Sequence, residues 1–300
     1  MATLATPAST PTAAGRNKRR LQIVVGFTTC YLVAEVVGGL LTKSLALLAD
    51  AGHMLTDVGG LALALLAIRF AERPATPDRT YGYYRTEILA ALANAVVLIV
   101  ISLYILYEAY QRFRNPPAVA SGAMLVVAAI GLAVNLAGVF ILREGSGESL
   151  NMRGAYFEVI SDMLTSIGVI VAGLIMLTTG WYYADPLLSA GIGLFILPRT
   201  WRLLREAVGV LLEGTPADVD VAAVRRTLAE TPGVTAVHDL HVWALTSGTN
   251  ALSAHVVAAE GAAYGDVLTA VTTRVTAGHK VAHVTVQVEP PGWERGETHL

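Results

Sequence analysis

Six apolar stretches organise the first two thirds of this chain, at about 21–42, 45–69, 86–111, 119–142, 155–179 and 183–204. Each is close to the ~20 residues a helix needs to cross the hydrocarbon core of a bilayer, so the chain is expected to fold as an α-helical membrane protein with six transmembrane helices. The composition agrees, with 54% hydrophobic and only 15% charged residues, against about 25% charged in soluble domains. A net charge of -2 offers no basic excess to neutralise phosphates, which excludes nucleic acid as the expected partner. The single cysteine, Cys30, excludes an intramolecular disulfide and a cysteine metal site. It falls in an apolar run and is read as a small buried residue.

The sixth stretch is the least regular. Its clean apolar run, Leu187 to Leu197, stops at Pro198 and passes into an amphipathic segment carrying Arg199, Arg202 and Arg205. Asp185-Pro186 is expected to open that helix, because proline fits the first turn and an acid suits the N-terminal end. Residues 1–20 lack the order of charge, short apolar run and cleavage site of a secretory signal, and read as a disordered cytoplasmic tail. Basic residues set the orientation. With the N-terminus inside, 13 Lys and Arg flank the inner side against Lys43, Arg112 and Arg114 outside, so both termini are expected in the cytoplasm, at the plasma (inner) membrane.

The membrane domain is expected to span 21–212, after which Glu213-Gly214-Thr215-Pro216 opens a stretch of soluble composition. Residues 218–230 and Tyr264 to Ala277 suit helices. Thr235 to Leu245 and Asn250 to Ala259 suit strands around a Ser247-Gly248-Thr249 turn, and strict alternation makes 283–289 a third strand. The order αββαβ implies a cytoplasmic α+β layer over 213–290, two helices on one face of a three-stranded sheet, with a tail at 291–300. So small a domain calls for support from dimerisation or bound metal.

Two of the spans carry the same polar pattern. His53 and Asp57 lie four residues apart in the second, Glu158 and Asp162 four apart in the fifth. Residues i and i+4 share a helix face, so each pair aims two ligands at one point. Ionisable groups at membrane depth cost roughly 2.5–3.5 kcal/mol each and persist where they pair, bind ions or line a pathway. The second span runs inward and the fifth outward. His53, Thr56 and Asp57 then match Glu158, Ser161 and Asp162 across antiparallel helices, in the manner of an inverted repeat around a midplane site. One imidazole and three carboxylates can hold a small dication at about 2.0–2.2 Å, with a proton balancing the remaining charge. Asn94 and Asn135 are read as interhelical hydrogen-bonding groups. Asp50 is read as a spare ligand, a proton entry group or a solvated residue near the outer surface, and Glu35 and Glu108 as groups near span ends.

The segments Leu47-Leu48-Ala49-Asp50-Ala51-Gly52-His53-Met54-Leu55-Thr56-Asp57, 79–92 (from Arg79-Thr80-Tyr81-Gly82 to Leu92) and Val237-His238-Asp239-Leu240-His241-Val242-Trp243 resemble the cation diffusion facilitator family. The resemblance covers about 20–290. It implies a homodimeric exporter of zinc or a similar divalent ion, driven by proton exchange, with a metallochaperone-like cytoplasmic domain. It also implies that His53, Asp57 and Asp162 are transport ligands. The fourth position departs from the common pattern, which has His where this chain has Glu158; a harder oxygen ligand relaxes selection for zinc toward manganese, iron or cobalt. By the same resemblance His238, His255 and Glu289 match a regulatory zinc site, with Gln287 where some relatives have His. The loop at 70–85 has Asp78 but no His, and 143–153 lacks a His-rich tract.

The rival classes are a membrane metal sensor and an intramembrane metalloprotease. The second is disfavoured because the chain has no His-Glu-x-x-His motif. No P-loop motif is present either, which leaves an ion gradient as the energy source.

Overall fold

In lipid every backbone N–H and C=O must be satisfied internally, and all six apolar stretches meet that demand as helices. The computed structural model describes residues 13–71, 75–143, 150–246 and 248–293. The long helices are α1 (Ala13–Thr42), α2 (Leu45–Ala71), α3 (Arg85–Arg114), α4 (Ser121–Arg143), α5 (Leu150–Thr179) and α6 (Ala184–Leu211). Among the described residues, α1, α3, α4, α5 and α6 are long and apolar enough to cross a membrane; α2, at 27 residues, is a sixth of the same order. α1 already begins at Ala13, inside the expected tail, and residues 1–12 and 294–300 lie outside the described residues. Pro198 sits within α6, which continues through it to Leu211.

The chain divides into two compact units, one taking the chain up to Leu61 together with Val96–Trp201, the other Ala62–Ala95 together with Arg202 onward. Hence α2, α3 and α6 contribute to both.

In the first unit the start of α2 is fixed by a side chain from α6. Asp185 Oδ2 accepts from the Leu45 amide at 2.8 Å and Oδ1 from the Ala46 amide at 3.1 Å, while Ser44 Oγ donates to Oδ1 at 2.6 Å. Ser44 Oγ also accepts from the Leu47 amide at 3.2 Å, the usual office of an N-cap serine. The carboxylate therefore satisfies orphan amides and meets the positive end of the helix. Arg112 ties the same corner to α3 through the Lys43 carbonyl at 2.6 Å and Asp185 at 3.4 Å. α4 comes close to its neighbours through glycine. A methyl at Gly131 would overlap the Tyr31 hydroxyl and ring, and one at Gly138 would lie 3.0 Å from Val159. Cys30, expected inside, is exposed on α1. An apolar span can present such a residue to lipid at no cost, so hydropathy does not imply burial within the protein here.

The second unit contains the αββαβ order. α7 (Val221–Ala229) is capped by Asp220, which accepts from the Ala222 and Ala223 amides. β1 (Val234–Thr246) pairs antiparallel with β2 (Thr249–Ala258), and β3 (His283–Glu289) returns parallel to β2 after α8 (Tyr264–Gly278). Val267, Val271 and Val275, four residues apart on α8, pack with Val224 and Leu228 of α7 on the inward side chains of the sheet, among them Val242, Leu252 and Val256. The start of α3 belongs to this unit: Arg85 donates to Glu213 at 2.8 Å and Thr246 to Glu87 at 2.6 Å.

Candidate metal centre

α2 and α5 bring three of the four expected ligands into one cluster, and the fourth, Glu158, lies against His53. His53 Nε2 lies 3.7 Å from Asp57 Oδ2, one turn along α2, and 3.6 Å from Glu158 Oε1 of α5. His53, Asp57 and Asp162 each place a ligand atom within 4.8 Å of the other two. Helical spacing explains why each pair converges, and the capped start of α2 fixes the height at which His53 enters.

The four residues share one further property. His53 Nδ1, Asp57 Oδ2, Glu158 Oε1 and Asp162 Oδ1 are buried and have no hydrogen-bond partner. A buried polar atom left unsatisfied costs about 1–3 kcal/mol, so four of them, one from each expected ligand, form a polar cluster whose chemistry suits a cation. The neighbouring hydroxyls do not relieve it. Thr56 donates to the His53 carbonyl at 2.6 Å and Ser161 to the Phe157 carbonyl at 3.1 Å, each within its own helix. Asn135 bridges α4 to α5 by donating to Ser166 at 3.3 Å, the interhelical role expected of it.

Charge is balanced differently from the sequence expectation. Arg199 of α6 donates to Glu158 Oε2 at 3.2 Å, so an arginine already offsets one of the three carboxylates that a dication would otherwise leave to a proton. Arg199 reads in the sequence only as a topology signal beside Pro198.

Asp50 and Glu35 also differ from expectation. Both are fully buried, so solvation at a membrane surface does not account for either. Tyr31 donates to Glu35 at 2.6 Å, one turn apart on α1.

In the second unit, the strand register settles which histidines meet. His238 of β1 is paired with His255 of β2, and a bulge between His238 and His241 leaves Asp239 in the left-handed region at φ 49°. Asp tolerates that conformation, and the bulge re-aims its side chain. Glu289, at the end of β3, meets His238 Nε2 at 2.8 Å through Oε2 and His255 Nδ1 at 3.1 Å through Oε1. Ligand atoms of His238, His255 and Glu289 all lie within 4.8 Å of one another, a donor set of two imidazoles and a carboxylate that fits zinc. Gln287 donates to Glu289 Oε1 at 2.8 Å. His241 instead bonds Asp239 at 3.0 Å. That bond, with the nearby imidazoles, holds the Asp239 carboxyl below its ordinary range. This cluster satisfies its own polar atoms, unlike the one between α2 and α5.

The comparison with known proteins follows the same division of the chain. The cation efflux transmembrane domain family matches residues 21–212, and the cation efflux protein cytoplasmic domain family matches 216–291. The metal cation efflux system protein CzcD of Cupriavidus metallidurans is 50% identical over 278 residues, 92% of this chain and 87% of that protein. A cadmium, cobalt and zinc/H(+)-K(+) antiporter of Bacillus subtilis is 44% identical, over 92% of this chain and 90% of its own length. The zinc transporter ZitB of Escherichia coli is 41% identical, over 95% and 91%.

Proposed function

This chain belongs to the cation efflux family, and from that premise we propose that His53, Asp57, Glu158 and Asp162 carry zinc or a similar divalent cation out of the cytoplasm in exchange for protons. Metal cation efflux, antiport of cadmium, cobalt and zinc against H(+)-K(+), and zinc transport are the activities named for relatives covering nearly the whole chain, and the protein is a transporter, not an enzyme. The observation that supports the residue assignment is the convergence of His53, Asp57 and Asp162, with Glu158 beside His53, each residue also keeping a buried polar atom without a partner.

The chemistry follows from linkage. Carboxylates and imidazole bind a metal only when deprotonated, so a dication entering the cluster expels protons and protons arriving from the far side expel the dication. Arg199 engages one oxygen of Glu158 and leaves the other to face His53. Three carboxylate oxygens against one nitrogen make a harder set than zinc favours, and cobalt, manganese or iron fall within its reach. Both termini face the cytoplasm and the membrane is the inner one, in line with the distribution of Lys and Arg.

The protein works as a homodimer assembled through its cytoplasmic domain, consistent with the family matched by 216–291. His238, His255 and Glu289 would hold a regulatory zinc there, whose role is to join β1, β2 and β3 at one point. Flux in proteoliposomes, metal by metal and with an imposed proton gradient, tests the whole reading. An acidic destination side speeds export and metal entry drives protons the other way. Flux indifferent to the gradient removes antiport, and absence of flux with intact metal binding leaves the sensor class.

A further inference from the structure

We propose that the Asp50–Glu35 carboxyl pair, held by Tyr31, is a second proton-carrying site of the exchanger, beside the four residues proposed to hold the metal; this rests on the antiport reading above. Neither carboxyl is exposed at all. The two face each other where α1 packs on α2, between Gly39 against Leu48 on one side and Tyr31 and Leu32 against Ala51 and Met54 on the other, and Tyr31 donates to Glu35 Oε1 at 2.6 Å. Glu35 Oε2 and both oxygens of Asp50 have no donor. Among the described residues no Arg or Lys pairs with either. Two ionised carboxylates in contact, away from water and without a counter-charge, are not sustainable. One shared proton resolves the contact, because the protonated carboxyl then donates to the other.

The ligand class follows from the donor count. Among the described residues the groupings of three or more metal-binding side chains include neither Glu35 nor Asp50. Two carboxyls and a phenol make a poor dication site and a good proton site. The surroundings lead back to the metal. On α1 the pair meets Tyr31. On α2 Asp50 lies three residues before His53 and seven before Asp57, on the same face. On α5 Ser166 lies one turn beyond Asp162, and Asn135 of α4 donates to Ser166. Asp162 and Asp57 are the other charged groups acting on the pair, so the track carries negative charge only. A dication in the cluster supplies the missing positive charge, stabilises the pair as two carboxylates and releases its proton; departure of the dication restores the need for it.

The position suits the direction of exchange. Asp50 is near the start of α2 and Glu35 near the end of α1, on the side where Thr42 and Leu45 meet. In the proposed orientation that is the outer side, from which protons enter.

The test uses the full-length protein in detergent and in proteoliposomes. Wild type, Asp50→Asn, Glu35→Gln and Tyr31→Phe are titrated with zinc in weak buffer while bound zinc and released protons are counted. The expected result is unchanged zinc stoichiometry with about one proton fewer released per ion in Asp50→Asn and Glu35→Gln, and flux that follows the proton gradient less steeply than in wild type. Proton release and gradient dependence equal to wild type overturn the proposal, and so does a loss of bound zinc, which would make the pair a metal site. If wild type itself releases no protons, antiport fails first and independently. Should the carboxyl variants not fold, infrared difference spectra decide. Zinc removes a protonated-carboxyl band in wild type, and Tyr31→Phe, which keeps every carboxyl, shifts that band. A band absent, or unmoved by Tyr31→Phe, overturns the proposal.

Discussion

Arg199 donates to Glu158 Oε2 across 3.2 Å while the other oxygen of the same carboxylate faces His53 Nε2 at 3.6 Å. Glu158 is thus shared between an arginine of α6 and His53 of α2. Removing the arginine leaves the carboxylate to the metal alone. Since the Arg199 side chain is 69% exposed, solvent screens most of its field and the effect is modest. Arg199→Gln is expected to tighten zinc binding by about 2- to 5-fold, the equivalent of an exposed ion pair, and to lower turnover because release becomes harder. Zinc titration and flux at saturating zinc check both. If affinity and turnover both stay at the wild-type level, the pair has no part in transport.

Asp57→Ala and Asp162→Ala each remove a buried oxygen that has no hydrogen-bond partner. Stability is therefore expected to hold, or to rise slightly, because an unsatisfied group leaves the interior. Zinc flux is expected to fall by about 100-fold or more, beyond the range seen when only a supporting group is lost. Thermal melts and size-exclusion chromatography establish the folded dimer, and flux then reads the ligand role. Substantial flux in either variant would falsify the four-ligand site.

The convergence of His53, Asp57 and Asp162 is legible in the sequence because four-residue spacing on an apolar helix is a local rule, which these residues and Glu158 obey in pairs. The register that joins His238 to His255 follows from a short hairpin turn, another local feature. Arg199 is not legible as a partner of Glu158, because 41 residues separate them on successive helices and an arginine at a span end reads equally well as a topology signal. Asp50 and Glu35 are misread for a related reason. Position along a span gives depth in the membrane, but which way a side chain faces depends on how α1 and α2 pack, and that is a property of the whole bundle. Gly131, which makes room for the Tyr31 hydroxyl, carries no sign of that office in the sequence.

Asp185 offers a stability test away from the ligands. It accepts from the Leu45 and Ala46 amides and from Ser44, so Asp185→Ala leaves a helix start uncapped and three donors unpaired. A loss of about 2 kcal/mol or more is expected, by analogy with cap deletions and unsatisfied buried donors. Zinc affinity should weaken as well, because His53 rides on the same helix two turns along. Asp185→Asn, which keeps one acceptor, should lose less. Equal melting temperatures for wild type and Asp185→Ala would show that Ser44 suffices as cap.

Asp239 gives a pH signature to the cytoplasmic cluster. Its carboxyl is held below the ordinary range chiefly by the hydrogen bond to His241, then by the surrounding imidazoles. A depressed carboxyl contributes stability above its unfolded pKa of about 3.9 and loses that contribution as pH falls through the lower folded value. The melting difference between wild type and Asp239→Asn is expected to be small at neutral pH, to decline once the pH falls below about 4, and to vanish below the lower folded value. A difference that grows on acidification would contradict the sign.

Glu158→His tests what sets metal choice. With Glu the cluster presents one nitrogen and three hard carboxylates; with His it presents two nitrogens and two carboxylates, nearer to the set zinc favours in tetrahedral sites. The zinc-to-manganese ratio of transport rates is expected to rise. Two effects complicate absolute affinity. The substitution removes a negative charge when the imidazole is neutral, and it frees Arg199, which then adds uncompensated positive charge near the ligands. Both weaken binding of every dication, so the ratio is the informative quantity, measured at matched pH and ionic strength. The double variant Glu158→His with Arg199→Gln restores the charge balance and is expected to recover overall rate while keeping the altered ratio. A ratio that stays level or falls in both variants would mean that ligand softness at position 158 does not govern selectivity. The choice of metal would then lie with geometry, above all with the spacing of His53, Asp57 and Asp162 that α2 and α5 impose.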